Sequence, residues 1–216
     1  MKTILTTLIA ILITGIAYAG KYEEAMQKAL DQLNKSRETQ AFANTAQSFE
    51  RIAKMEQDKW LPQYYAAFCY IQAAFTHKVP ATKDQYLDQA QAYLDTGLKV
   101  EDNSELQALQ GYLSMAKLTV DPMSRGQQLT PVIMQTLGKA IQMNPENPRA
   151  YYVMAQMQMG TARFFGKGEK EACEIVMTAH QKFETAENND PLMPDWGANA
   201  VRQMAENCKG ILADND

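Results

Sequence analysis

Two histidines and three cysteines are all that this 216-residue chain holds of the side chains that most often bind transition metals or act as soft nucleophiles. A zinc site needs three or four ligands drawn together. His77 and His180 stand far apart, and neither has a neighbour at ligand spacing. The chain has no H-E-x-x-H, no C-x-x-C and no nucleophile-elbow pattern. Gly166-Lys167-Gly168-Glu169-Lys170 lacks the spacing and the preceding buried strand of a phosphate loop, and reads instead as a flexible connection before a helix start. Carboxylates are scattered at solvated spacing, and no catalytic pair stands out. These absences predict a protein that is not an enzyme and that holds neither metal nor cofactor.

Other absences narrow the class. The chain has no excess of positive charge; its formal net charge is −4, which argues against non-specific nucleic-acid binding. After residue 19 no apolar run is long enough to span a bilayer. No Ser/Gly-rich or Pro-rich linker divides the chain. Val, Ile and Gly are sparse, whereas Ala, Gln and Met are abundant, which favours helix over sheet. At the N-terminus Met1-Lys2 gives a basic start, Thr3 to Ala17 carries no charge, and Ala17-Tyr18-Ala19 supplies small residues where a signal peptidase reads. Residues 1–19 are therefore expected to be a signal peptide cut after Ala19. That leaves 20–216 as one helical domain in the periplasm or outside the cell, with no stable membrane insertion. No cysteine follows the apolar run to accept a lipid anchor.

What the chain does contain is a repeat. Small residues recur at Ala53, Gly97, Ala140 and Ala186, with spacings of 44, 43 and 46. Seven residues earlier stand Ala46, Ala90, Ile133 and Ala179. Five residues later stand Asp58, Asp102, Pro145 and Pro191. Further small residues follow at Ala67, Gly111, Ala155 and Ala200. Helices cross closely only where side chains are small, so such offsets mark helix crossings. The segment Asn144-Pro145-Glu146-Asn147-Pro148 stops one helix and starts another, because the residue before proline is driven out of the helical region and Pro148 suits a first helical turn.

The stretch from Lys139 to Ala155, with its small residue, Pro five positions on, aromatic and second small residue, resembles the junction between two tetratricopeptide repeats. The resemblance covers about residues 40 to 210. It implies an all-α, right-handed solenoid of helical hairpins, about four helix pairs plus a capping helix. The period departs from the family's 34 residues. The extra residues fall between first and second helices, around Pro80, Pro122, Gly126, Gly160, Gly166 and Gly168, and are expected to form longer helices ending in longer loops. The expected helices run over about 22–35, 40–56, 61–76, 84–99, 104–119, 129–143, 148–160, 169–187 and 195–210.

The last two of these should form an antiparallel hairpin turning near Pro191. Cys173 and Cys208 then lie level, 18 residues before and 17 after that point, and a disulfide is expected in an oxidising compartment. Two level core thiols are the alternative. Cys69, within an apolar helix, reads as a buried free thiol.

In the resembling family the first helices line a groove for a peptide or partner helix. Carried over by position, that groove holds Tyr64, Tyr112, Arg149, Tyr152 and Gln156, with Arg202 on the final helix. Tyr64, Tyr112 and Tyr152 suit a groove or a core equally; Phe68 reads as core. The inserted segments offer a second surface, an edge bearing His77, Lys78, Lys83, Arg125, Arg163, Phe164, Phe165, Lys167 and Lys170. The resemblance implies an exported scaffold or adaptor that binds a protein or peptide. The alternatives are a small-ligand-binding accessory protein of a solute-uptake system, which requires a closed apolar cavity, and a structural subunit of an envelope assembly.

Overall fold

The structure, a computed structural model, describes residues 20–187 and 190–213. The expected signal peptide, residues 1–19, lies outside the described residues, as do residues 188, 189 and 214–216. Among the described residues there is no strand. A helix over 20–35, α1, is followed by α2 Thr39–Met55, α3 Trp60–Thr76, α4 Pro80–Val100 and α5 Ser104–Val120. The chain continues through α6 Pro122–Met143, α7 Pro148–Phe164, α8 Lys170–Thr185 and α9 Ala198–Ala213.

Burial sorts the helices into two kinds. α4, α6, α8 and α9 each bury one stripe. In α4 it is Leu87, Ala90, Leu94 and Gly97, and in α6 Ile133, Leu137 and Ala140. Offsets of three and four place these residues on one face of a helix. α3 and α5 are buried nearly all round, with Leu61 to Ile71 continuously enclosed in α3. They form an inner layer: α3 packs on α2, α4 and α5, and α5 packs on α6 and α7 as well. Consecutive helices pack as hairpins, as expected. A single helix pair could not bury both faces of α3 or α5, so the stacking itself makes the core.

The recurrent small residues stand where the hairpins close. Ala46, Ala90, Ile133 and Ala179 are fully buried. A Cβ on Gly111 would lie 2.5 Å from Leu137 Cδ2, so α5 and α6 touch there backbone to side chain. The fourth copy departs from the pattern. α8 ends at Thr185, and Ala186 lies beyond it, exposed.

The inserted residues lengthen helices rather than loops. Pro80 and Pro122 occupy first-turn positions, where the missing N–H costs nothing. α5 and α6 are joined by Asp121 alone, whose carboxylate accepts from the Ser124 amide at 3.2 Å. Pro131 sits inside α6. The longest described connection instead lies between α8 and α9, over residues 186–197. α9 starts at Ala198 rather than near Asp195. Cys173 and Cys208 are joined in a disulfide that fastens α8 to α9, and Cys69 is a buried free thiol whose pKa burial raises.

Candidate functional site

The connection between α8 and α9 lies across the face of α3, α5 and α7, the layer from which the groove residues were drawn. Its Trp196 stacks near Phe68, with centroids 5.1 Å apart, and near Tyr112 at 5.2 Å. It meets Tyr152 at an angle at 6.0 Å. The indole Nε1 donates to the Tyr64 hydroxyl at 2.8 Å, and the Tyr65 hydroxyl donates to the Leu192 carbonyl at 2.8 Å. Both bonds satisfy polar tips that burial would otherwise penalise. Gly197 lets the chain leave this seat. Its φ is 105°, and a Cβ there would come within 2.9 Å of Phe183 Cζ and 3.2 Å of Tyr152 Cδ1. No other residue fits that backbone without displacing an aromatic ring.

The structure therefore brings Tyr64, Tyr112 and Tyr152 together, around a side chain of the same molecule. Tyr64 is wholly buried, and burial is the first cause that raises its hydroxyl well above the ordinary range. Arg149 is also buried, held by Glu105 in a two-pronged pair at 2.7 and 2.6 Å. This pair, with the Asn147–Ser104–Ala140 chain of hydrogen bonds beside it, ties α7 to α5. Gln156 is half-buried, and its Oε1 has no partner. Arg202 is exposed and bonds to Asn199 on its own helix at 3.2 Å, away from the cluster. The edge set by the lengthened helices is partly neutralised. Arg125 pairs with Asp84 through two bonds of 2.7 and 2.8 Å, and Arg163 pairs with Glu169. Phe164 and Phe165 stand exposed on that edge.

A cleft of about 440 Å³ opens between α1, α3 and the connection. Leu30, Leu33, Phe42, Phe68, Met193 and Trp196 make its apolar walls. Arg37 stands at it, its guanidinium turned to the carbonyls of Asn34 and Ser36 at 2.8 and 2.7 Å. Such a cleft is of the size and composition that holds a small apolar ligand with one or two charged groups. Neither His77 nor His180 lines this cleft. Among the described residues no group of three or more His, Cys, Asp or Glu could hold a metal ion.

No family model matches the chain, and no curated protein sequence matches it. A solved structure does: the HusA haemophore from Porphyromonas gingivalis is 29% identical, with a TM-score of 0.78. The match covers 90% of this chain and 94% of that one. The likeness is to a haemophore and not to an enzyme, in agreement with the sequence reading that no catalytic constellation is present.

Trp196 and Leu192 were not among the expected site residues. Trp196 carried one signal, since it stands between Pro194 and Gly197, residues that break helices; Leu192 carried none. The last helix was expected over 195–210, which placed Trp196 inside it, and only Arg202 of that helix was carried over as a groove position.

Proposed function

We propose that the chain is an exported accessory protein that binds and carries haem or a similar flat tetrapyrrole, in the cleft between α1 and the α8–α9 connection. The likeness to a haemophore along nearly the whole of both chains is the observation that carries this reading. The cleft supports it. A tetrapyrrole is a broad apolar plate with carboxylates on one edge. Phe42, Met193 and the edge of the Phe68–Trp196 stack give the plate apolar walls, and Arg37 offers a cation that can pair a carboxylate in two bonds. Met193 lines the same cleft and is of a type that can ligate haem iron. The Cys173–Cys208 disulfide belongs with an oxidising compartment, as export to the periplasm or the exterior provides.

The scaffold or adaptor reading drawn from the tetratricopeptide resemblance has less support. Its groove face is covered by the protein's own connection, and Tyr64, Tyr112 and Tyr152 contribute nearly all their surface to that contact and the core. The small-ligand alternative is the one that the comparison favours, with an open cleft in place of the closed cavity expected for it.

Haemin titration tests the proposal. Bound haemin should shift the Soret band and quench the fluorescence of Trp196, read in a Trp60→Phe background so that one indole reports. Trp196→Ala should weaken binding by about tenfold, as expected for loss of one aromatic contact of roughly 1.5 kcal/mol. A chain that leaves the haemin spectrum unchanged at micromolar concentrations is not a haem carrier.

A further inference from the structure

A second cleft, of about 1060 Å³, opens on the other side of residues 190–192, between the start of α1 and the α2–α3 turn. Its charge is lopsided. Glu23, Glu24, Glu56, Asp58 and Asp190 line it, and among the described residues Lys59 is the only cationic side chain that does. Five negative charges less one positive give −4, equal to the formal net charge of the entire chain. The rest of the molecule is therefore close to balanced, and the excess is gathered here. Lys59 is itself engaged, its Nζ lying 4.8 Å over the Tyr22 ring. Processing after Ala19 would add one ammonium at Gly20, which also lines the cleft, and would still leave −3.

Glu56 makes this more than an acidic patch. Its residue surface is 7% exposed, yet among the described residues no side-chain hydrogen bond or ion pair reaches its carboxylate. What exposure remains to it is toward the cleft that it lines, so a ligand there would meet a carboxylate that no protein side chain engages. Burial, and then the charges of Glu56, Asp190 and Asp58, push the Tyr22 hydroxyl up to about 12, so the acids act on one shared space. They are too dispersed to hold one metal ion. Between them lie Tyr22, Trp60, Leu61 and Met55, the last 73% exposed.

Dispersed carboxylates with aromatic and apolar walls match several cations carried on an apolar framework. Guanidinium and ammonium groups pair with carboxylates and lie favourably over Tyr and Trp faces, while their aliphatic stems cover apolar surface. The volume lies at the top of the range for small-molecule sites, more than one simple amine fills. We propose that this cleft binds a Lys- or Arg-rich peptide segment of a partner protein. The site is separate from the aromatic cleft and does not depend on the haem reading.

The test uses protein purified after export, so that its own processing sets the N-terminus, and a fluorescent blocked peptide alternating Lys, Arg and Ala. Anisotropy should rise on binding at low salt and fall steeply as salt is added. Glu56→Gln, nearly isosteric, should weaken binding by about tenfold, the loss of one charge-assisted contact. Asp58→Asn should weaken it further. Neither variant should lower the thermal midpoint or change haemin quenching, which separates this site from the carrier function. The proposal is overturned if the basic peptide does not bind at low salt, or binds Glu56→Gln as well as the parent. Tighter binding of spermine or calcium than of the peptide would overturn it too, assigning the cleft to a small cation.

Discussion

Gly111 and Gly138 stand on the two helices of one hairpin and differ in what surrounds them. A Cβ on Gly111 meets Leu137 at 2.5 and 2.8 Å, whereas a Cβ on Gly138 meets nothing within 4 Å. Gly111→Ala should therefore destabilise by about 1–3 kcal/mol, because Leu137 is buried and cannot swing aside. Gly138→Ala should stabilise by roughly 0.5–1 kcal/mol through helix propensity alone. Urea unfolding of both variants decides this, and equal shifts would mean that the α5–α6 crossing is not set by Gly111. At this scale the sequence was informative because steric demand leaves a direct mark. Three of the four positions in the buried row are alanine, at 46, 90 and 179, and Ile133 is the exception. Ala186 fails the pattern because α8 has already ended before it.

Elements were legible where hydrophobic period and proline position agreed, and misread where proline has two meanings. Pro80 and Pro122 were taken for loop residues and are instead the first residues of α4 and α6. A proline at N1 and a proline in a loop look alike until the hydrogen bonding of the following turn is known. The α8–α9 hairpin was inferred from the level placement of Cys173 and Cys208, and the bond is present. It closes a loop of 35 residues and should contribute roughly 3–4 kcal/mol in the chain-entropy account. α9 buries little besides Val201, Ala205 and Cys208, so this bond is a large share of what holds it. Reduction should lower the thermal midpoint by on the order of 10 °C. In hydrogen exchange, protection should be lost first over 198–213 while α3 and α5 stay closed. Uniform loss of protection would show that α9 is integral to the core rather than pinned to it.

For the whole molecule, the deciding contact joins residues that no local pattern relates. Trp196 reaches Tyr64 across 132 positions, and Leu192 reaches Tyr65 across 127. A repeat reading lays out the inner face but cannot show that a later connection folds back over it, since that connection has no period. This also sets how a ligand should act on stability. The aromatic cleft is bounded by α1, α3 and the connection, so a ligand there bridges the two ends of the chain and should stabilise the fold as a unit. At a ligand concentration of a hundred times Kd the gain is about 2.7 kcal/mol, or roughly 5–10 °C in midpoint for a chain of this size. Because no histidine lines the cleft, the apolar plate rather than the iron should supply most of the affinity. An iron-free porphyrin should then raise the midpoint nearly as far as haemin does, and Arg37→Gln should reduce both shifts alike by weakening the hold on a carboxylate. Differential scanning calorimetry with the two ligands separates the cases. A shift with haemin alone would mean that Met193 or another side chain ligates the iron and dominates recognition, with the ring contacts secondary.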